Sequence, residues 1–497
     1  MSNFEEFITS DKYGNVFPVI ETMPADLLTP LAVYLKLAEG HDTAFLFESV
    51  EGGESLGRYS FIGAGPHTIV RGNAQTTQII ENANFREIEM SPMEYLREHF
   101  GRFRLVENNS LPGFTGGAVA MFNFSCAGWF EPSLLKHLPP GDDICTLLFF
   151  RSIVAFDHIR QEIKIISLIF RDEIGQDEAA LRHALQEAHA KNRETRKILE
   201  LRQIQLVRNA KIPVSENRVV SNWERDDFLA AVNKIKEAIF SGDAYQVVLS
   251  QCFTKRTAAS PVSIYRAIRS LNPSPYMFLI TNKNSAVVGA SPEMLVRLRN
   301  GKLCYRPIAG TRPRSSDQIA DERLAEEMLS DEKEVSEHLM LVDLGRNDLG
   351  RVARFGSVMV EKLMTVEKYS HVQHLVSSLS ATIRPDLDRF DAFAACFPAG
   401  TVSGAPKVSA IEIISQLEPT PRGIYSGAVG YFDYAGNMDT CIAIRTMRIS
   451  DGVARIQAGA GIVADSVPTA EYNETLNKAK ALLRAIEIAE SLEADND

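Results

Sequence analysis

From Asp177 to about Leu206 the chain runs without a glycine or a proline and is rich in Ala, Glu, Lys, Arg and Leu. That stretch predicts one long helix, and it divides the sequence into two parts of different texture. Before it, up to about Phe170, the pattern is of short β-strands: Phe45-Leu46-Phe47, Thr68-Ile69-Val70, Gly116 to Phe124, and a hairpin of Ser152–Phe156 and Glu162–Phe170 turning at Asp157-His158. After it, Asn209 to Val220 is polar and contains Pro213, as a linker would. The expected organisation is an N-terminal lobe (1–176), a connector helix and linker (177–220) and a larger second lobe (221–497). A chain of 497 residues is too long for one ordinary core.

The second lobe predicts mixed elements. Ser221 and Glu224 read as a capping box opening a helix that carries Phe228, Val232, Ile235 and Ile239 at helical spacing. Strands are expected at Gln246–Phe253, Met277–Thr281 and Ala286–Gly289. Hairpins are expected at Asn300-Gly301, within Met294–Pro307, and at Asp451-Gly452. Antiparallel sheet mixed with helices gives an α+β class.

Composition excludes several functions. The net charge of −11 argues against a nucleic-acid surface, though not against a locally positive pocket for a small anion. No apolar run reaches membrane-spanning length; Leu147 to Phe156 is broken by Arg151. The opening MSNFEEFITS lacks the basic and apolar regions of a signal peptide. The cysteines (126, 145, 252, 304, 396, 441) form no CxxC pair, so reduced thiols in a cytoplasmic protein are expected.

Two predicted helices carry paired acids. Glu334 and Glu337 lie in Asp331 to about Leu344, with Val335, Leu339 and Val342 read as its apolar face. Glu471 and Glu474 precede Lys478 by about two turns and one turn. Residues three and four apart share a helix face, so two such faces would make a carboxylate-lined cup suited to Mg²⁺. Either pair alone also fits a solvated helix face. Gln457 to Val463 is a small-residue segment whose backbone N–H groups suit a carboxylate or, equally, close packing. Thr401 to Lys407, with Pro406 near a helix start, looks like an anion loop without the Walker order. His374 reads either as functional or as a core histidine.

The order of these signals along the chain carries more than any one of them. Gln246, Ser291-Pro292-Glu293, Pro307 to Arg312, Glu334-x-x-Glu337-His338, Leu344 to Leu349, His371-Val372-Gln373-His374, Thr401 to Lys407, Ala443-Ile444-Arg445, Gly459-Ala460-Gly461 and Glu471-Tyr472-Asn473-Glu474 resemble the chorismate-utilising enzymes over about 222–490. Glu48-Ser49, Arg58-Tyr59-Ser60-Phe61 and Asn272 to Phe278 narrow the resemblance to the anthranilate synthase component I family. Met121-Phe122-Asn123-Phe124-Ser125 departs from the tyrosine-rich version of that strand.

The resemblance implies a two-lobed fold with large antiparallel sheets, helices outside and the active site between the sheets. It implies Mg²⁺ on Glu337 and Glu474, with Glu334 and Glu471 nearby. The enolpyruvyl carboxylate of chorismate would meet Arg445, Tyr425 and the backbone around Gly459, Ala460 and Gly461, with Lys478 close by. Glu293 would be the acid for hydroxyl departure and His374 the residue of pyruvate elimination. Thr311 and Thr401 would contact substrate. Relatives that make isochorismate have a lysine where Gln246 stands, and aminodeoxychorismate synthases commonly have one where Ala309 stands; both absences favour anthranilate synthesis. No cysteine sits in a glutaminase setting, so ammonia would come from solution or from a separate glutamine amidotransferase subunit, in a heterotetramer. Tryptophan would inhibit through Glu48, Ser49, Pro275, Tyr276, Met277 and Phe278, a set that ordinary packing between lobes would also explain. The alternatives are an aminodeoxychorismate synthase component and a non-catalytic tryptophan-sensing subunit.

Overall fold

A computed structural model describes residues 4, 14–49, 57–81, 84–106, 111–138, 144–174, 177–204, 218–369 and 372–494. Two twelve-stranded antiparallel sheets dominate them. The first runs Val16–Pro24, Glu162–Phe170, Ser152–Asp157, Tyr59–Ala64, Thr43–Glu48, Tyr276–Asn282, Ser285–Ser291, Thr446–Ser450, Val453–Ile462, Gln246–Arg256 and Val220–Ser221, with Gly404–Ala405 beside Gln246–Arg256. The second runs Ile308–Pro313, Val372–Thr382, Lys302–Tyr305, Met294–Arg299, Met438–Ile442, Ala428–Asp433, Gly117–Phe122, Cys145–Phe150, Thr68–Gly72, Thr77–Glu81 and Asn84–Ile88, with Met359–Lys368 beside Val372–Thr382.

Both sheets therefore contain strands from before and after the long helix. Thr43–Glu48 pairs with Tyr276–Asn282 in one, and Gly117–Phe122 with Ala428–Asp433 in the other. The sheets face each other across an aromatic-rich core: the Phe45 and Phe150 ring centroids are 4.7 Å apart, and those of Phe61 and Tyr431 5.7 Å. A second apolar cluster lies under the helices on the outer side of the first sheet, with Tyr265, Ile268, Met277, Leu279, Leu482 and Ile486. Such burial is the main favourable term in folding.

The predicted hairpins form as read. Asn300 and Gly301 both take positive φ (50° and 76°), as do Asp451 and Gly452 (51° and 72°), the conformation of a two-residue type I′ turn. The long helix spans Glu178–Leu201, starting at the Asp177 cap, whose carboxylate accepts from the Ala180 N–H. It packs on Val16–Pro24 and Glu162–Phe170. Buried Asn192 fixes it there by donating to the Val19 carbonyl (3.0 Å) and accepting from Ser167 Oγ (2.7 Å). Most of the linker, Pro213 included, lies outside the described residues.

Local readings need correction at three helix features. Ser221 does not cap the helix Arg225–Phe240. Its cap is Glu224, without a side-chain bond, because the Ser221 hydroxyl donates to Gln251 and accepts from the Trp223 N–H. In the helix Glu332–Gly350 the buried side is His338, Leu341, Val342, Gly345 and Leu349, while Leu339 is exposed. Pro406 caps the helix Lys407–Leu417 from outside its first turn, and Thr401 sits in a separate short helix, Gly400–Ser403.

The chain passes between the sheets at several points, and two of these crossings are neighbours. Ser285–Ser291 of the first sheet leads through Pro292-Glu293 into Met294–Arg299 of the second, and Met438–Ile442 of the second leads through Ala443 to Arg445 into Thr446–Ser450 of the first. The crossings are laced together. Ser291 Oγ donates to the Ile442 carbonyl (2.7 Å), the Ile442 N–H to the Glu293 carbonyl (3.1 Å), and the Ala290 N–H to the Arg445 carbonyl (3.1 Å). Among the described residues no helix is long and apolar enough to cross a membrane.

Candidate active site

A cavity of about 530 Å³ opens beside the paired crossings. Its walls are the crossings themselves, Ile308 to Thr311, the strand end Gln457 to Val463, the helix Glu332–Gly350 and the first turns of the helix Pro468–Ala494. Glu293, Thr311, Glu337, His374, Thr401, Tyr425, Arg445, Gly459, Gly461, Glu471, Glu474 and Lys478 all line it. Residues scattered over the second lobe thus meet at one place.

Glu293 is 7% exposed. Burial pushes its carboxyl up to about 7, against the opposing pull of the Thr401 hydroxyl and the Lys478 charge. The Thr401 hydroxyl lies close enough to favour the charged form, but it makes no hydrogen bond of full geometry to any described group. A carboxyl held half-protonated near neutrality is what a general acid requires.

Across the cavity, Arg445 takes φ = 50°, a left-handed conformation unusual for a long side chain and one that persists where the surroundings fix it. Its guanidinium donates to the Lys478 carbonyl (3.3 Å), and burial lowers its proton affinity without threatening its charge. Lys478 Nζ donates to the Gly459 carbonyl (3.0 Å) and pairs with Glu474 (2.6 Å).

The glycines have a steric reason. A Cβ on Gly459 would lie 2.7 Å from Tyr425 Oη, and one on Gly461 would lie 2.5 Å from Gln246 Nε2. Tyr425 and Gln246 occupy the side-chain space at these two positions, which brings the strand's backbone to the cavity wall. Ala460, between them, is buried in the core and does not line the cavity. This corrects its assignment as a substrate contact, as strand alternation requires.

His374 Nδ1 lies 2.9 Å from the Gly310 carbonyl and 3.1 Å from Thr311 Oγ1. A carbonyl only accepts, so Nδ1 carries the proton and Nε2 is the basic nitrogen. His371 of the same motif lies outside the described residues.

The paired acids are only partly gathered. Glu337 from one helix and Glu471 and Glu474 from the other face the cavity, but Glu334 is turned to Arg312 (3.0 Å) and does not line it. Surrounding protein, then the charges of Glu334 and Glu474, raise the proton affinity of Glu337, although its side chain opens to the cavity. Burial, and then Glu474, raise that of Glu471 against a Ser466 hydrogen bond. Among the described residues no three His, Cys, Asp or Glu side chains stand close enough to form a metal cage. Two hard carboxylates from opposing helices do fit an ion such as Mg²⁺, which keeps waters and takes oxygens from its ligand.

Sequence reasoning missed Lys333, Ser336 and Met340 on the cavity wall. Lys333 and Met340 lie four and three residues from Glu337, and Ser336 lies three and four residues from those two, a helical spacing that would have found them. Lys407 pairs with buried Asp348 (3.3 Å) and stays out of the cavity, while Thr401 and Val402 of the same segment line it.

A second cavity lies between the sheets, lined by Phe47, Glu48, Ser49, Tyr59, Phe61, Pro275 to Phe278, Arg297, Tyr431 and Asp439 among others. All six residues assigned to tryptophan border it. The Glu48 carboxylate, however, is turned to the outer side of the sheet, where it accepts from Tyr265 Oη (2.8 Å) and from Arg269 through two bonds of 2.9 Å. Met277, its partner in register, packs on that side too. The acid on the inner side is Asp439, bonded to Tyr276 Oη (3.0 Å) and Arg297 Nε (2.9 Å).

A model of the chorismate binding enzyme family matches residues 42–484. Anthranilate synthase component 1 of Acetivibrio thermocellus is 44% identical over 96% of both chains, and that of Aquifex aeolicus 45% identical over 97% of this chain and 96% of the relative. The solved anthranilate synthase component I of Streptococcus pneumoniae superposes with a TM-score of 0.70 at 32% identity, over 93% of this chain and 99% of the other. The chain thus belongs to the chorismate binding enzyme family, alongside the anthranilate synthase component 1 proteins that match it over nearly its whole length.

Proposed function

We propose that the chain is the catalytic component of an anthranilate synthase, which aminates chorismate at ring carbon 2 and releases pyruvate. The observation that carries this reading is the convergence of Glu293, His374, Arg445 and the Glu337/Glu474 pair on one cavity, in a member of this family.

The substrate has two carboxylates, and the cavity offers each a different partner. Arg445, Tyr425 and the glycine-bearing strand receive the enolpyruvyl carboxylate; a guanidinium fork matches a carboxylate in geometry as well as charge. The ring carboxylate lies toward Glu337 and Glu474, where acids alone would repel it. Mg²⁺ bound there would supply the positive charge that joins carboxylate to carboxylate.

Ammonia adds at carbon 2, the ring double bonds shift, and the carbon 4 hydroxyl leaves. Hydroxide is a poor leaving group, and protonated Glu293 supplies the proton that lets it depart as water. In the second half, His374 Nε2 takes the carbon 2 proton, the bond between ring carbon 3 and the enolpyruvyl oxygen breaks, and the ring becomes aromatic as enolpyruvate leaves and takes up a proton on its methylene carbon to become pyruvate. Thr311 orients His374, and Thr401 stands against Glu293. Ala309 and Gln246 line the cavity where a lysine would be needed for the related chemistries. Ammonia comes from solution or from a partner glutamine amidotransferase, as the component 1 designation of the relatives suggests.

The test is anthranilate fluorescence from the purified chain with chorismate, Mg²⁺ and ammonium. Turnover is expected with ammonium and absent with glutamine. Glu337→Gln or Glu474→Gln should lower turnover at least a hundredfold at ordinary Mg²⁺ with the fold intact. Near-normal rates in both variants would remove the metal assignment.

A pH dependence follows from Glu293. Its acid form is present below about 7 and is lost as pH rises. With free ammonia held constant, the rate should fall above about pH 7.5, approaching tenfold per unit. A flat profile from pH 6.5 to 9 would contradict the acid role.

Tryptophan inhibition is assigned to the cavity between the sheets. The indole meets the Phe47, Phe61 and Phe278 wall. Because Glu48 is committed to Arg269, the polar corner consists of Ser49, Tyr276, Arg297 and Asp439. Ser49→Ala or Asp439→Asn should raise the inhibitory tryptophan concentration at least tenfold while uninhibited turnover stays within about threefold. Full sensitivity in both variants would place the inhibitor elsewhere.

A further inference from the structure

Behind the enolpyruvyl end of the cavity lies a buried ion pair. Arg422 and Glu418 have side chains 1% and 4% exposed, and every guanidinium donor of Arg422 is used. Nε donates to Glu418 Oε2 (2.9 Å) and Nη2 to Glu418 Oε1 (2.7 Å). Nη2 also donates to the Val248 carbonyl (2.7 Å), and Nη1 to the Val402 carbonyl (2.8 Å) and Ser426 Oγ (3.1 Å). That is five donors and five acceptors. The guanidinium plane also lies against Phe124 and Tyr425, 4.7 and 5.5 Å from the ring centroids.

The acceptors belong to three separate walls of the cavity. Val248 lies on the strand that holds Gly461 in register. Val402 follows Thr401. Ser426, held at φ = 61°, follows Tyr425. Glu418 extends the network: it accepts from the N–H and Oγ of Ser250, and Ser250 Oγ accepts from Gln457 Nε2 (2.8 Å), another wall residue. Arg422 itself does not line the cavity.

We infer that Arg422 is a positioning residue for substrate recognition, clamping Tyr425, the Thr401-Val402 turn and the glycine-bearing strand into one geometry. A lysine cannot replace it, because an ammonium has three donors and no planar fork. The inference rests on the chorismate reading, and wild-type turnover of chorismate tests that reading separately.

The experiment measures KM and kcat for chorismate, with ammonium and Mg²⁺ saturating, in wild type, Arg422→Lys, Tyr425→Phe and the double variant. Arg422→Lys is expected to raise KM for chorismate at least tenfold, with kcat per folded molecule within about threefold and an unchanged Mg²⁺ requirement. In the Tyr425→Phe background its effect should shrink to less than half, because the two act through one contact surface. A purely structural role would lower the melting temperature and the active fraction but leave KM unchanged, and that result would overturn the inference. So would full additivity with Tyr425→Phe. If Arg422→Lys does not fold, Ser426→Ala carries the test. It deletes one bond of the clamp and should raise KM about threefold, and an unchanged KM there would likewise overturn the inference.

Discussion

Three hydrogen bonds lace the two sheet crossings together, and the site depends on them. Ser291 to Ile442, Ile442 to Glu293 and Ala290 to Arg445 are buried main-chain and hydroxyl bonds where these two neighbouring segments change sheet. An unmade buried bond costs about 1–3 kcal/mol, so the crossings hold each other in register. Glu293 and Arg445 are the residues at the bends. Their side chains face a common cavity because their backbones cannot shift independently. Strained backbone at Arg445 is tolerable there for the same reason.

The electrostatics of the site follow from that placement. Arg445 and Lys478 supply positive charge to the cavity wall and Glu337, Glu471 and Glu474 negative charge, and the Lys478–Glu474 pair (2.6 Å) is where the two meet. A dianionic substrate meets attraction at the cations and needs a bridging cation at the acids. Glu293 is buried enough to keep its proton near neutrality despite the opposing pull of Lys478. Behind the cavity wall, Arg422 spends all its donors on protein acceptors, which converts a buried charge from a liability into a clamp.

Much of this was legible in the sequence. Turn chemistry marks both two-residue hairpins, and ordered motifs mark most of the residues on the cavity wall. What stayed hidden was side-chain direction and long-range pairing. The strand Thr43–Glu48 is apolar on both faces, so no alternation showed that Glu48 points outward to Arg269. Ala460 stands between two cavity-lining glycines, yet strand periodicity turns it into the core. Glu334 shares a helix face with Glu337 but is drawn off by Arg312, a partner on another element. The sharing of both sheets by the two halves of the chain rests on pairings between residues more than two hundred positions apart, such as Phe47 with Phe278. No local pattern encodes those.

The central claim is that the paired crossings present one acid and one cation to the two ends of a single substrate. The most direct measurement is a crystal structure of Glu293→Gln with chorismate and Mg²⁺ bound. The account predicts the enolpyruvyl carboxylate on Arg445 and Tyr425, the carbon 4 hydroxyl within hydrogen-bond reach of residue 293, and the ring carboxylate toward Glu337 and Glu474. Chorismate bound elsewhere, or turned so that its carbon 4 hydroxyl points away from residue 293, would contradict it.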